Sequence, residues 1–288
     1  MKILVWLATL SCAPLWAQQR ELIPLLPAEI PDERPIRDTL LSGNVTRSRL
    51  LIESLDPPRK TLWEGILAIT QDDPVSAVRA LRTVDYPKTL GVAYYLARQH
   101  LLFRDQMTRA IEQDPADFGP YYYLGRHYDS DVDDLEEAMR LYRLALEKNP
   151  QFTGIRAYLG NCLEKRRRLQ EAEAEYLASP NVALSMIGLA RLRLSADDLT
   201  AARKFIDRAI VLDPRDASAL KLQSRIYVRA GRLDDAAQAL ERASALDPRD
   251  ASLRYQLGYT YRRLGDSTRA VAAFHEYERL QKIYGPQP

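Results

Sequence analysis

From residue 84 onward, apolar residues recur three and four apart in stretches of about a dozen, separated by short polar turns. That spacing puts one buried stripe on an α-helix. The stretches come in pairs, and successive pairs close on Pro115, Pro150, Pro180, Pro214 and Pro248. Proline cannot continue a helix and restricts the residue before it, so each marks an end. One phrase occurs twice: Asp213-Pro214-Arg215-Asp216-Ala217-Ser218 returns as Asp247-Pro248-Arg249-Asp250-Ala251-Ser252, 34 residues on. Counting the third residue past each proline as position 1, the first of these units has Gly231 at 15, Ala236 at 20, Leu240 at 24 and Ala243 at 27. The next has Leu257 at 7, Gly258 at 8, Tyr261 at 11, Gly265 at 15, Ala270 at 20 and Phe274 at 24. Small residues at 8, 20 and 27 let two helices cross closely, and large ones at 7, 11 and 24 fill the gaps beside them.

The same register runs upstream. The unit from 183 has Leu189, Ala190, Ala202, Ile206 and Ala209 in place. Before it, Leu159, Gly160, Ala172 and Tyr176 keep the pattern although the second helix is shortened. The unit from 118 has Leu124, Gly125, Tyr128, Ala138, Tyr142 and Ala145, with one extra residue in its inter-helix turn. From 84 to 117, Gly91, Tyr94 and Ala110 fit, but Phe103 stands where a small residue is expected, which predicts a wider crossing. This pattern resembles the tetratricopeptide repeat family, whose unit is a helix–turn–helix of 34 residues. The resemblance implies an all-α, right-handed superhelical solenoid, with residues 84–284 as an array of one degenerate and five regular repeats. Each unit buries its apolar face against its neighbours.

Ahead of the array, Leu50, Leu51, Ile52 and Leu55 predict a helix capped by Asn44 or Thr46 and stopped by Pro57-Pro58. Trp63, Ile66, Leu67 and Ile69 predict another, and Asp73-Pro74 starts a third, so 44–83 reads as a divergent helical hairpin region. Residues 18–43 carry Pro24, Pro27, Pro31 and Pro35 and read as an extended lead. Residues 1–17 read as a signal peptide, with Lys2 before an apolar run from Ile3 to Leu10 and cleavage after Ala17. Lipidation at Cys12 and an uncleaved anchor are the alternatives. The chain is read as exported, periplasmic or secreted, with no transmembrane segment after signal removal.

Composition changes this little. Lysine and arginine total 41 against 39 acidic residues, so no global field draws the chain to nucleic acid or membrane. After cleavage only Cys162 remains, at a first-helix core position, which predicts a buried, inert thiol. Phosphate loops, nucleophile elbows and paired-histidine zinc helices are absent, so the reading is of a protein that is not an enzyme and needs no cofactor or metal. His100, His127 and His275 stand far apart in sequence and at unrelated repeat positions, each expected as a surface or interfacial imidazole and not as a ligand or base. The acidic run 129–134 lacks a calcium loop's glycine, with Asp134 in its place, and has Arg140 instead of the closing glutamate. It reads as a turn feeding the positive end of the next helix. Lys165-Arg166-Arg167-Arg168 reads as a solvated helix terminus.

The resemblance places positions 2, 5, 9 and 12 of each first helix on a concave groove where extended peptides bind in the family. Here those positions supply Lys88, Tyr95, Tyr122, Arg126, Asn161, Arg191, Lys221, Arg225, Tyr255, Tyr259 and Arg262. Such a groove is basic and tyrosine-rich, suited to carboxylates through bidentate arginine contacts and to stacking on rings. The Lys and Asn set with which family members grip a C-terminal carboxylate is not reproduced, since only Asn161 is present. The expected function is a protein–protein interaction scaffold of the cell envelope that binds an acidic extended segment. An assembly subunit using its edges and convex face, and a carbohydrate or cell-wall binding module, are the rival readings. Leu280, Ile283 and Tyr284, at the end of the last helix, are expected to form an exposed edge for self-association or docking.

Overall fold

A computed structural model describes residues 33–285, and they form helices and turns throughout. The signal peptide and most of the proline-rich lead lie outside these residues. The chain divides into two compact units, 1–166 and 167–288.

The first unit contains α1 (Arg34–Leu41), α2 (Val45–Ile52), α3 (Pro57–Thr70), α4 (Pro74–Leu81), α5 (Pro87–Leu96), α6 (His100–Gln113), α7 (Phe118–His127), α8 (Leu135–Lys148) and α9 (Gly154–Lys165). Consecutive helices pack on one another, and α3 also touches α5, as α5 touches α7. The second unit contains α10 (Leu169–Leu177), α11 (Ala183–Ser195), α12 (Leu199–Leu212), α13 (Ala217–Arg229), α14 (Leu233–Leu246), α15 (Ala251–Arg263) and α16 (Ser267–Tyr284). It is built the same way.

The extended lead expected over 18–43 stops short of its end, because residues 34–41 are the helix α1. Pro35 falls in its first turn, where a missing N–H costs nothing, and Ile36 and Leu40, one turn apart, are buried. Asn44 caps α2, its side chain accepting from the Arg47 N–H, and Asp73 caps α4 through Ser76.

The repeated phrase explains itself as a helix stop joined to a helix start. Asp213 and Asp247 take the amides of Arg215 and Arg249 in the turn, while Asp216 and Asp250 cap α13 and α15 through Ser218 and Ser252. The residue between the helices of a hairpin is left-handed: Gly231 and Gly265, but also Asp72, Arg98, Asp133, Arg167 and Asp197.

Helix crossings follow one rule. A Cβ on Gly91 would meet Met107, and one on Gly258 would lie 2.6 Å from the Phe274 ring. In each case the facing residue is the sixteenth after the glycine. Gly65 and Leu81 of α3 and α4 stand in the same relation. In α7 and α8 the partner of Gly125 is Tyr142, one residue later, and that extra residue is accommodated by a π-helical turn at Tyr128–Val132. Gly188 departs from the rule and packs on Tyr176 of α10. The core of the last two hairpins gathers Leu220, Leu240, Leu253, Leu257, Tyr261 and Ala270.

Candidate functional site

In the second unit the first helices α11, α13 and α15 turn one face each toward a concavity of about 680 Å³. Four groove residues expected from the sequence line it: Arg191, Arg225, Tyr255 and Tyr259. Its apolar wall is Leu194, Leu222, Val228 and Leu240, and no carboxylate lines it. Sequence reasoning missed Ser195, Arg229 and Arg263, which occupy position 13 of their repeats. Each is four residues beyond position 9, hence on the same helix face, and that spacing was the signal available.

The arginines differ in what they already hold. Arg191 donates to the Tyr176 hydroxyl at 3.3 Å, and Arg229 pairs with Asp197 at 2.6 Å. Arg225 and Arg263 are exposed and have no ion-pair or hydrogen-bond partner among the described residues. Tyr255 and Tyr259 meet edge to face, 4.7 Å between centroids, and both stay exposed. The Tyr255 hydroxyl donates to that of Tyr259 at 3.1 Å. That bond holds the Tyr255 proton and raises its pKa, while the same bond and one from Arg262 lower that of Tyr259. Arg262 lies over the Tyr259 ring at 4.3 Å and acts through it instead of lining the concavity.

Other groove residues are drawn into the fold. Lys88 reaches Asp117 at 2.6 Å, and Lys221 reaches Asp250 at 3.1 Å and Ser252 at 2.5 Å. Both aspartates are N-caps, of α7 and α15, so each lysine ties one first helix to the start of the next. Tyr122 is buried, with Tyr123, Phe152 and Tyr158 around its ring. Arg126 spends its donors on the hydroxyls of Tyr122 and Tyr158 and stacks 4.7 Å from the latter ring. Asn161 is half-buried on α9. These side chains were expected to face a ligand; bulky aromatic neighbours and nearby caps satisfy them first.

At the C-terminal edge, Ile283 and Tyr284 are exposed, but Leu280 is buried. It continues the stripe of Ala270, Ala273 and Tyr277 at intervals of three and four, which keeps it on the packed face. Arg249 covers the Tyr284 ring at 5.7 Å. The three-residue apolar edge is therefore reduced to two.

Cys162 is buried, and desolvation, reinforced by the Asp129 charge, pushes its thiol up to about 12. Asp129 itself takes the Lys165 ammonium at 2.6 Å.

The histidines correct the sequence reading. His275 is an exposed residue of α16, but His100 and His127 stack at 5.2 Å, and Asp131 of the π turn reaches the same place. The Nδ1 of His127 lies 3.2 Å from the Asp131 carboxylate. Tyr95 and Phe103 meet the His127 ring edge-on. Burial lowers the His127 pKa against the pull of Asp131, which favours the neutral ring. His100 is the first residue of α6 and His127 the last of α7, so the two sit at unrelated repeat positions.

Helical hairpins packed each on the next, with three first helices of the second unit lining a concavity, define a helical-repeat protein. Residues 127–183 and 251–282 match the family described as tetratricopeptide repeat, and residues 225–265 match the one described as TPR repeat. The chain is a tetratricopeptide repeat protein. Among solved structures, yeast Tom70 superposes with a TM-score of 0.64 at 16% identity, covering 92% of this chain and 65% of Tom70. Pseudomonas aeruginosa PilF gives 0.59 at 16% identity, over 70% of this chain and 91% of PilF. At that identity the likeness is one of fold. No curated protein matches the sequence. Among the described residues no helix is long and apolar enough to cross a membrane.

Proposed function

We propose that this protein is a protein-binding scaffold whose second unit holds an acidic, extended segment of a partner. The observation that carries this reading is the concavity at α11, α13 and α15. Arg225 and Arg263 offer it two guanidinium groups with no ion-pair partner among the described residues, beside an exposed tyrosine pair and an apolar wall. Guanidinium is built for bidentate carboxylate contact, and charge-assisted hydrogen bonds are the strong ones. Leu194, Leu222 and Val228 give an apolar side chain of the segment somewhere to dock, and the tyrosine rings give it a flat amphipathic face. The hydroxyls of Ser195, Ser224 and Thr260 line the concavity, but no histidine or carboxylate stands among the lining residues to activate one as a nucleophile. The reading of residues 1–17 as a signal peptide supports an encounter in the cell envelope or outside the cell.

The test is fluorescence anisotropy with labelled extended peptides that differ only in carboxylate content, each measured at low and high salt. Acidic peptides should bind and weaken as salt rises. Replacing Arg225 and Arg263 together with Glu should weaken binding about a hundredfold, two charge-assisted contacts being lost, with helicity unchanged. Equal binding by parent and double variant sinks the groove reading. Preference for a glycan over every peptide moves the site to carbohydrate recognition.

A further inference from the structure

We propose that His100, His127 and Asp131 form a binding site for a divalent transition metal ion, best fitted to zinc. The site lies in the first unit, apart from the groove, where the start of α6, the end of α7 and the π turn converge.

Geometry comes first. One donor atom from each of the three side chains can be chosen so that all lie within 4.8 Å of one another. Two ligands of a tetrahedral zinc ion, each about 2.1 Å from the metal, stand a little over 3 Å apart. One pair, His127 Nδ1 and Asp131 Oδ2, is already at 3.2 Å. Small rotations of His100 and Asp131 close the rest.

Donor chemistry selects the metal. Two imidazoles and one carboxylate make a mixed nitrogen and oxygen set, which borderline ions such as zinc accept. Calcium and magnesium require oxygen ligands throughout and are excluded by the imidazoles. A third protein ligand completes the count for an ion that keeps its fourth position for water.

The surroundings add an independent observation. The His100 Nδ1 is buried and has no hydrogen-bond partner among the described residues. A buried polar atom of that kind is uncommon in a folded protein, and coordination through Nδ1 would give it a partner. Tyr95 holds both rings edge-on, at 6.1 Å from His100 and 6.3 Å from His127, and Phe103 flanks His127. These contacts restrict His127, the buried ring, more than half-buried His100, which keeps room to turn toward an ion. The Asp131 backbone is exposed while its side chain keeps 14% of its surface, so the carboxylate lies at the rim of the cluster, between buried His127 and water. Arg98 holds its other oxygen at 3.4 Å, the kind of outer contact that orients a ligating carboxylate.

Sequence explains why the three meet. In an α-helix residues 127 and 131 would share a face, but the chain must also turn into α8 there. The extra residue of this repeat lets the π turn carry Asp131 back over His127 before Asp133, left-handed at φ 60°, starts the reversal.

The competing outcome is a hydrogen bond between His127 and Asp131 with no metal role. Tag-free protein is titrated with zinc chloride and with cobalt chloride, followed by calorimetry, metal analysis and visible absorption. One ion per chain is expected, with a cobalt ligand-field band of tetrahedral intensity and a raised unfolding temperature on zinc addition. His100→Gln and Asp131→Asn should each weaken binding tenfold or more while the circular dichroism stays that of the parent. His275→Gln should leave binding unchanged. Because His127 is buried and its replacement can unfold the unit, the variants at half-buried His100 and at Asp131 carry the test. No saturable zinc or cobalt binding by the parent, parental affinity in His100→Gln, or calcium binding as tight as zinc would each overturn the proposal.

Discussion

Tyr142 carries its hydroxyl into the packed interior of the first unit and finds no partner for it among the described residues. Burial pushes the phenol well above its ordinary pKa, so it stays protonated and uncharged. The ring is needed, since it fills the space opposite Gly125. The oxygen only pays desolvation. Tyr142→Phe should therefore leave stability unchanged or raise it by about 1 kcal/mol, read as the midpoint of urea unfolding. A loss of more than that would mean a water or an unseen donor reaches the oxygen. Single residues also show what the sequence could not reveal. The charge of Lys88 and Lys221 was plain from their repeat position, but not their direction, because each partner is the cap of the following helix. His100 and His127 were legible as residues and invisible as a pair, since no repeat interval relates them.

At the scale of the helix pair, the αL residue between helices is set by backbone geometry whatever the side chain. Gly231 and Gly265 fit it freely, while Arg167 adopts it at φ 61°. For a non-glycine residue that conformation costs about 1–2 kcal/mol. Glycine there enlarges the freedom lost on folding by only about 0.4–1 kcal/mol. Arg167→Gly should thus stabilise the chain by about 0.5–1 kcal/mol, seen as a raised melting midpoint, and a lowered one would show that the arginine side chain matters more than its backbone. The hairpins themselves were legible wherever the period of 34 held. The pair α3 and α4 was read only as divergent because α4 ends after eight residues, which breaks the period while leaving the packing of Gly65 on Leu81 intact. Leu280 lies past the core positions common to the repeats, so only the continued stripe from Ala270 through Ala273 and Tyr277 marks it as buried.

Across the whole molecule, stability is a sum of hairpins and the contacts that join neighbours. Lys221 with Asp250 is one such joint. Burial raises the Asp250 carboxyl, but the hydrogen bonds from Ser252 and Lys221 and the lysine charge outweigh it and hold the pKa below the usual range. A carboxylate with a lowered folded pKa contributes stability above its unfolded value, near 3.9, and loses it as pH falls through the folded one. Asp250→Asn keeps a capping oxygen and removes the charge. It should cost about 1 kcal/mol at neutral pH and progressively less below pH ~4, judged from paired urea titrations. A difference that persists in acid would assign the loss to capping instead of to the ion pair. The groove was legible in outline from repeat positions, and its position-13 arginines were missed because family positions were followed without their neighbours one helical turn on.

The π turn has a consequence for how such an array can evolve. Translational symmetry copies every side chain from one repeat to the next, which suits a long surface but works against any site whose residues must converge from different directions. A single inserted residue at Tyr128–Val132 breaks that symmetry at one place. Duplicating a neighbouring hairpin would lengthen the groove without reproducing the His100, His127 and Asp131 cluster, and deleting the inserted residue would restore the common turn and disperse it.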